Sequence, residues 1–301
     1  MSKPRLFVTG TGGHLGRRVV ELLLDQGADV IAGSRNPEKL ADLAERGAEL
    51  RRADFDDPAS LEQAFSGVDH LLIISVLDTP HDPPHRLRQH LTAVAAAAKA
   101  GVGHISYTSM QKPEPGSPIP FAGDHHGTEQ AIRETGIPFT YLRPNWYADI
   151  AFMWAPPALA SGQLASAAGE GRVAYLWRDD LAHAAAASLL AGGTESRTLD
   201  ISGPEALTPQ EIVDTLNDVF AAKVELAPVS DADLRAGLEA AGLPPTAVEI
   251  FTAFDINTRQ GRVDTPDDDF RTLTGCKPRS LREFLTENRD ALLAAARTPA
   301  R

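Results

Sequence analysis

The chain has 301 residues, 43% of them hydrophobic and 23% charged, with a net charge of -12 and one cysteine, Cys276. That length allows one large domain or two small ones. An acidic surface repels phosphate backbones, which argues against nucleic acid as a partner, and a lone thiol excludes a disulfide framework or a Cys-x-x-Cys redox pair. No apolar run approaches the roughly 20 residues of a membrane span, and the opening "MSKPRLFVTG" lacks the layout of a signal peptide, so a cytoplasmic protein is expected.

The first half alternates short apolar runs with helical ones. "RLFVTG" reads as a buried strand, and "HLGRRVVELLLDQG" as a helix with Leu15, Val19, Leu22 and Leu23 at helical spacing. "DVIAGSR" and "NPEKLADLAERG" repeat the pattern. "AELRRADF" and "DPASLEQAFSG" follow, with Asp57 as cap and Pro58 at the first helical position. "DHLLIIS" leads to the alanine-rich helix "HRLRQHLTAVAAAAKAG", and "GHISYTS" to a Pro-rich loop over 112–120. That loop is either a mobile lid or a rigid cover. A helix from about His125 to Thr135 and the strand "PFTYLRP" complete the alternation. Strands alternating with helices predict an α/β fold, a Rossmann-type doubly wound parallel sheet.

After Asn145 the alternation loosens. "RVAYLWRDDLAHAAAASLLAG" reads as a strand, a turn and a helix, and "RTLDISG" as one more strand. "LTPQEIVDTLNDVFAA" opens with a capping box, Thr208 to Glu211, and a second box runs from Ser280 to Glu283. The reading is a dinucleotide-binding domain over residues 1–150 and a smaller, mostly helical substrate lobe over 151–301. About 173–203 are expected to return to the main sheet.

The motif "VTGTGGHLG" sits between a strand and a helix, the context in which a glycine loop binds a pyrophosphate. Gly10, Thr11, Gly13, His14 and Leu15 are therefore assigned to the cofactor, with the helix dipole behind them. An NAD-binding site places an acid at the end of the second strand. Here Arg35 stands there, with Lys39 beyond it, which favours the 2′-phosphate of NADPH (NADP). Asp54 is expected at the adenine amino group with Phe55 beside the ring, although Asp54 could equally serve as a helix cap. Ser75 and Ser109, at strand ends, are assigned to the cofactor as well. Pro144 and Asn145 are assigned to the nicotinamide carboxamide. Tyr107, Trp146, Tyr147 and Phe152 are assigned to a flat substrate, with core packing as the competing reading for Trp146. His81, His85 and His90 do not share one helical face, so no metal site is expected.

The segments "VTGTGGHLG", "SRNPEKL", "ADFDDPASLEQAFSGVDHLLIIS", "KAGVGHISYTS", "TEQAIRETGIPFTYLRPNWYAD" and "AAGEGRVAYLWRDDLAHAAAA" follow one another in register. In these the chain resembles the NmrA-like, atypical branch of the short-chain dehydrogenases, and is similar to bacterial NADPH:quinone reductases and triphenylmethane reductases. The resemblance implies NADPH along the strand ends. It also implies that His125 stands where ordinary members keep a catalytic Tyr and Glu129 where they keep Lys. His125 is then the candidate proton donor, and Glu129 a candidate partner for ribose hydroxyls. Hydride addition to a simple ketone leaves an alkoxide that needs a proton donor. A quinone leaves a phenolate-like anion with a pKa nearer the ~10 of tyrosine, and a cationic dye needs no proton. The expected function is NADPH-dependent hydride transfer to a quinone-like or conjugated small molecule, by a monomer or homodimer. A cofactor sensor without catalysis and a tailoring reductase of aromatic metabolites are the alternatives.

Overall fold

The structure, a computed structural model, describes residues 3–76, 83–266 and 268–297. The sheet is built from β1 (Arg5–Val8), β2 (Asp29–Ser34), β3 (Glu49–Arg52), β4 (His70–Ile73), β5 (His104–Thr108), β6 (Phe139–Pro144) and β8 (Arg197–Ile201). A separate short strand, β7 (Gln163–Ser166), precedes β8 in the chain and pairs with β9 (Glu225–Pro228). The main sheet has seven strands in the order β3-β2-β1-β4-β5-β6-β8, and its pairings are parallel. Its central strands are buried on both faces, as covered parallel strands must be.

The chain order reverses between β1 and β4. Open α/β sheets bind ligands at such a switch point, beyond the carboxyl ends of the strands.

The helices in chain order are α1 (His14–Asp25), α2 (Ala41–Glu45), α3 (Pro58–Ala64), α4 (Pro83–Ala100), α5 (Ala122–Glu134), α6 (Ala151–Ser161) and α7 (Arg178–Ala191). Beyond them come α8 (Pro209–Phe220), α9 (Asp231–Ala240), α10 (Pro245–Arg259), α11 (Asp269–Thr274), α12 (Leu281–Glu287) and α13 (Arg289–Ala296). One face of the sheet is covered by α1 and α7, whose Val19, Val20, Leu23, Leu181 and Leu189 bury against Leu6, Val8 and Leu72. The other face carries α3 and α4, with Leu61, Ala93 and Ala97 against Phe7, Ile73 and Tyr107. A third core, around Ile212, Leu216, Phe284 and Leu285, belongs to the C-terminal elements.

Arg279 ties those elements to the start of α7, which covers the sheet. Its backbone and side-chain N–H groups donate to the buried carboxylate of Asp180 at 2.7–2.9 Å, and its guanidinium lies 4.0 Å from the centroid of Trp177.

The local signals hold where the chemistry is local. Asp57 caps α3 through Ser60 N–H, and both capping boxes are formed. "NPEKLADLAERG" gives only a 3-10 turn over Pro37–Leu40 and the short α2. The expected strand in "RVAYLW" is instead an irregular segment held by isolated bridges, Tyr147 to Leu176 and Val173 to Leu207.

Candidate active site

The glycine loop joins β1 to α1. Gly10 has φ +65°, a left-handed conformation that disfavours any side chain. A Cβ on Gly16 would lie 2.5 Å from the Gly10 carbonyl oxygen, so only glycine lets α1 pack on the turn. Gly13 is different. It caps α1 with extended dihedrals, φ −97° and ψ 166°, and a Cβ there would meet only Gly10 O at 3.4 Å. A Cβ on Gly12 would likewise find only Ser34 Oγ, at 3.5 Å. The fold therefore does not demand glycine at 12 or 13. What small size preserves there is space outside the chain, above the first turn of α1, whose leading N–H groups have no intrahelical acceptor. No acid stands in that turn to compete for them. A pyrophosphate fits this cradle.

Thr11 donates its hydroxyl and backbone N–H to Gly33 O, at 2.9 and 3.1 Å, fixing the loop against β2. His14 and Leu15 open α1, His14 exposed and Leu15 half-buried. Arg35 and Lys39 are exposed beyond β2. Among the described residues neither side chain has a hydrogen bond or an ion pair. Asp54 is spent locally, accepting from Asp56 N–H at 3.1 Å and from Arg52 at 3.1 Å. Phe55 is buried in the core. Ser75, half-buried, receives Thr108 Oγ1–H at 3.3 Å. Pro144 pairs with Ile201 at the end of β6.

Several expected contacts are corrected by the structure. Tyr107 was expected to meet substrate, but it is fully buried under α4 and α5. His125 was expected as a proton donor. Residue 125 lies within α5 and is 3% exposed. Arg86 donates to His125 Nε2 at 2.9 Å, and His125 Nδ1 meets Tyr107 Oη at 2.9 Å. Burial first, then the charge of Arg86, hold its pKa well below the usual histidine range. A neutral imidazole with both nitrogens engaged has no proton to offer a substrate.

Glu129 was expected to accept from ribose. Its carboxylate instead receives Arg143 in a bidentate pair at 2.9 and 2.6 Å, and Ser109 Oγ–H at 2.6 Å. That bond also removes the Ser109 hydroxyl from the cofactor. Asn145 was expected at the carboxamide. Its Nδ2 lies within bonding distance of Val263 O, Gln111 Oε1 and Ser202 Oγ, at 2.9–3.3 Å. Its Oδ1 accepts from Trp146 N–H at 2.8 Å. The side chain is a knot between strand ends, with no group left for a ligand.

The aromatic residues do not form one wall. Trp146 stacks on Phe254 of α10, with ring centroids 4.1 Å apart. Tyr147 packs with the α1–α7 core under the Arg178 guanidinium. Phe152 stands 41% exposed on α6, edge-on to Phe284.

The Pro-rich loop is tied down at its start. Lys112 Nζ donates to Gly261 O at 2.8 Å, Arg262 reaches Lys112 O and Glu114 O at 3.2 and 3.4 Å, and Glu114 pairs with Arg143 at 2.9 Å. Of the histidines weighed as metal ligands, His81 lies outside the described residues. His85 pairs with Asp56 at 2.7 Å, and His90 accepts from Val76 N–H at 3.1 Å. No cluster of metal-binding side chains occurs among the described residues.

A parallel sheet with a switch point, a glycine cradle at a helix N-terminus and an unpaired arginine beyond β2 define a Rossmann-type dinucleotide-binding protein. The family model described as NAD(P)H-binding matches residues 10–191. Quinone oxidoreductase 2 of Escherichia coli is 34% identical over 89% of this chain and 92% of its own length. An NmrA-like family domain-containing oxidoreductase of Aspergillus flavus is 30% identical over 95% and 96% of the two chains. Among solved structures, the Citrobacter sp. triphenylmethane reductase complexed with NADP(H) superposes with a TM-score of 0.85 at 36% identity, covering 94% of this chain and 99% of that one. The chain belongs to the NAD(P)H-binding family, among its NmrA-like oxidoreductases.

The sequence placed α10 only within a mostly helical lobe and marked none of its residues for the site. Its Asn257 is fully buried with neither amide atom hydrogen-bonded among the described residues, and Trp146 Nε1 and Arg262 Nε are in the same state. A polar residue in the middle of "FTAFDINTRQ" carries no motif, so nothing in the sequence marked it.

Proposed function

We propose that this chain is an NADPH-dependent oxidoreductase that reduces a quinone-like or cationic conjugated acceptor at the carboxyl ends of β4, β5 and β6. The observation that carries the reading is the spent state of His125 and Glu129. The positions that would hold a proton donor and its activating cation hold a neutral, doubly bonded imidazole and a carboxylate locked to Arg143. Such a site suits acceptors whose reduced form is stable without an enzymic acid.

NADPH, when bound, supplies the hydride. The chain's own residues do the rest. Gly12 and Gly13 keep the space for the pyrophosphate clear, and the N–H groups at the start of α1 face it. Arg35 offers a planar, unpaired guanidinium to a 2′-phosphate. Trp146, stacked on Phe254, presents an apolar surface against which a flat acceptor packs. A phenolate whose conjugate acid has a pKa near ~10 takes its proton from water once released, so no side chain need donate it. The names of the relatives support both acceptor classes: one is a quinone oxidoreductase and another a triphenylmethane reductase.

The test is NADPH oxidation with para-benzoquinone, with crystal violet and with cyclohexanone. Turnover with either of the first two and none with the ketone is expected. Binding of NADPH with no turnover toward any acceptor would favour a sensor and overturn the reductase reading.

A further inference from the structure

His90 stands on α4 at 0% exposure, and its work lies at the end of β4. The strand ladder there stops at Ile73. The next three residues nevertheless keep every backbone N–H paired, each with a side chain from a different part of the chain. Ile74 N–H donates to Thr9 Oγ1 at 2.9 Å, Ser75 N–H to Thr108 Oγ1 at 2.8 Å, and Val76 N–H to His90 Nε2 at 3.1 Å. Arg86 Nε donates to Val76 O at 2.8 Å. Side chains therefore fix the course of the chain beyond the point where strand pairing ends.

That course runs along the cofactor cleft. Residues 74–76 leave β4 at the switch point between β1 and β4, where an open α/β sheet takes its ligand. A Cβ on Gly10 would lie 3.7 Å from Ile74 Cβ, so the segment passes directly beside the glycine loop. Among the described residues nothing donates to the carbonyl oxygens of Ile74 and Ser75. The segment thus offers backbone acceptors and no backbone donor, which suits the hydroxyls of a cofactor ribose rather than a phosphate.

The partners of His90 also fix its proton. Nε2 accepts from Val76, so Nδ1 carries the hydrogen and donates it to Thr128 Oγ1 at 3.0 Å. The Thr128 hydroxyl gives its own hydrogen to Asp124 O at 2.6 Å. The ring is a neutral bridge from α5 to the end of β4.

We propose that His90 is a positioning residue for NADPH: without touching the cofactor, its Nε2 holds the Val76 N–H and so fixes residues 74–76 as a wall of the cofactor cleft beside the glycine loop. The inference rests on the NADPH site of the reading above. Removing the acceptor frees the Val76 N–H, and the wall must then be ordered when the cofactor binds.

The test uses two substitutions that divide the ring. In His90→Gln the side-chain oxygen reaches the place of Nε2 and accepts from Val76, while the bond to Thr128 is given up. In His90→Asn the amide ends at the place of Nδ1, so it keeps Thr128 and abandons Val76. The dissociation constant of NADPH, by calorimetric titration, and the melting temperature are read for both variants and the wild type. His90→Asn is expected to lose about ten-fold in NADPH affinity, and His90→Gln to stay within about two-fold of wild type, whatever the order of their melting temperatures. Should His90→Asn not fold, Thr108→Val, which frees the Ser75 N–H of the same segment from the side of β5, is expected to show the same loss, and wild-type affinity in it would overturn the inference. Equal NADPH affinities in the Asn and Gln variants, or affinities that only follow melting temperature, would make His90 a residue of the core and overturn the inference alone. A wild type that binds NADPH but reduces no acceptor overturns the reductase reading and not this one. A wild type that does not bind NADPH overturns both.

Discussion

Arg86 donates through Nη2 to Nε2 of His125 at 2.9 Å, with both residues buried. The guanidinium also holds Val76 O at 2.8 Å, so one cation joins the end of β4 to α5. A histidine that accepts from an arginine is held neutral, because protonation would set two cations face to face. The residue standing where a proton donor is expected is thereby a strut. Four outcomes follow from this and related contacts.

Activity with an electrophilic acceptor should show no ionisation from His125. Its pKa is held well below the normal value by burial and by Arg86, so the imidazole stays neutral over the range about pH 5 to 8 in which free histidine titrates. A kcat profile with para-benzoquinone that is flat through that range is expected. A limb near pH 6.5 that disappears in His125→Gln would show the imidazole acting as an acid.

Stability, in contrast, should fall on acidification. Burial and then Arg86 push His90 down to about 3, and His104 and His125 are lowered too. The unfolded chain binds these protons near the normal pKa of ~6.5 while the folded chain refuses them. Stability is thus complete above that value and is lost as pH drops toward the folded values, by up to about 1.4 kcal/mol per pH unit for each group. Asp200 and Asp255, raised by burial, act in the opposite sense. The discriminating measurement is therefore a difference: the melting temperature should drop less between about pH 7 and about pH 5 in His90→Gln than in wild type.

Two glycine substitutions should separate binding from folding. Gly16→Ala sets a Cβ 2.5 Å from Gly10 O and should lower the melting temperature. Gly13→Val has room within the chain, with Gly10 O at 3.4 Å, so it should fold and lose most affinity for NADPH. Calorimetric titration of both variants checks this. A Gly13→Val protein with wild-type affinity would mean that the phosphates lie elsewhere.

Arg35→Ala should weaken NADPH by about ten-fold or more and leave NADH within about two-fold, since a charge-assisted bidentate contact is confined to the 2′-phosphate. Similar wild-type affinities for the two cofactors would remove the role assigned to Arg35.

The sequence by itself determined the parts of this protein whose causes are local. Glycines at 10 and 16, between an apolar run and an amphipathic one, specify the turn, and Gly13 leaves the space above it open. Alternation of strand and helix patterns specifies the parallel sheet. Thr208 with Glu211, and Ser280 with Glu283, specify helix starts because each cap is closed within four residues. Arg35 at the end of β2 was legible for the same reason.

Only the tertiary structure decided which polar side chains remain available. His125 meets Arg86 and Tyr107, Glu129 meets Arg143, and Asn145 meets Gln111, Ser202 and Val263. Most of these partners lie on other elements, brought close by sheet order and helix docking, so no spacing in the sequence encodes them. Asn257 is the converse case. Its amide lacks a partner in a buried place, and both the burial and that lack come into being only when α10 packs into the fold.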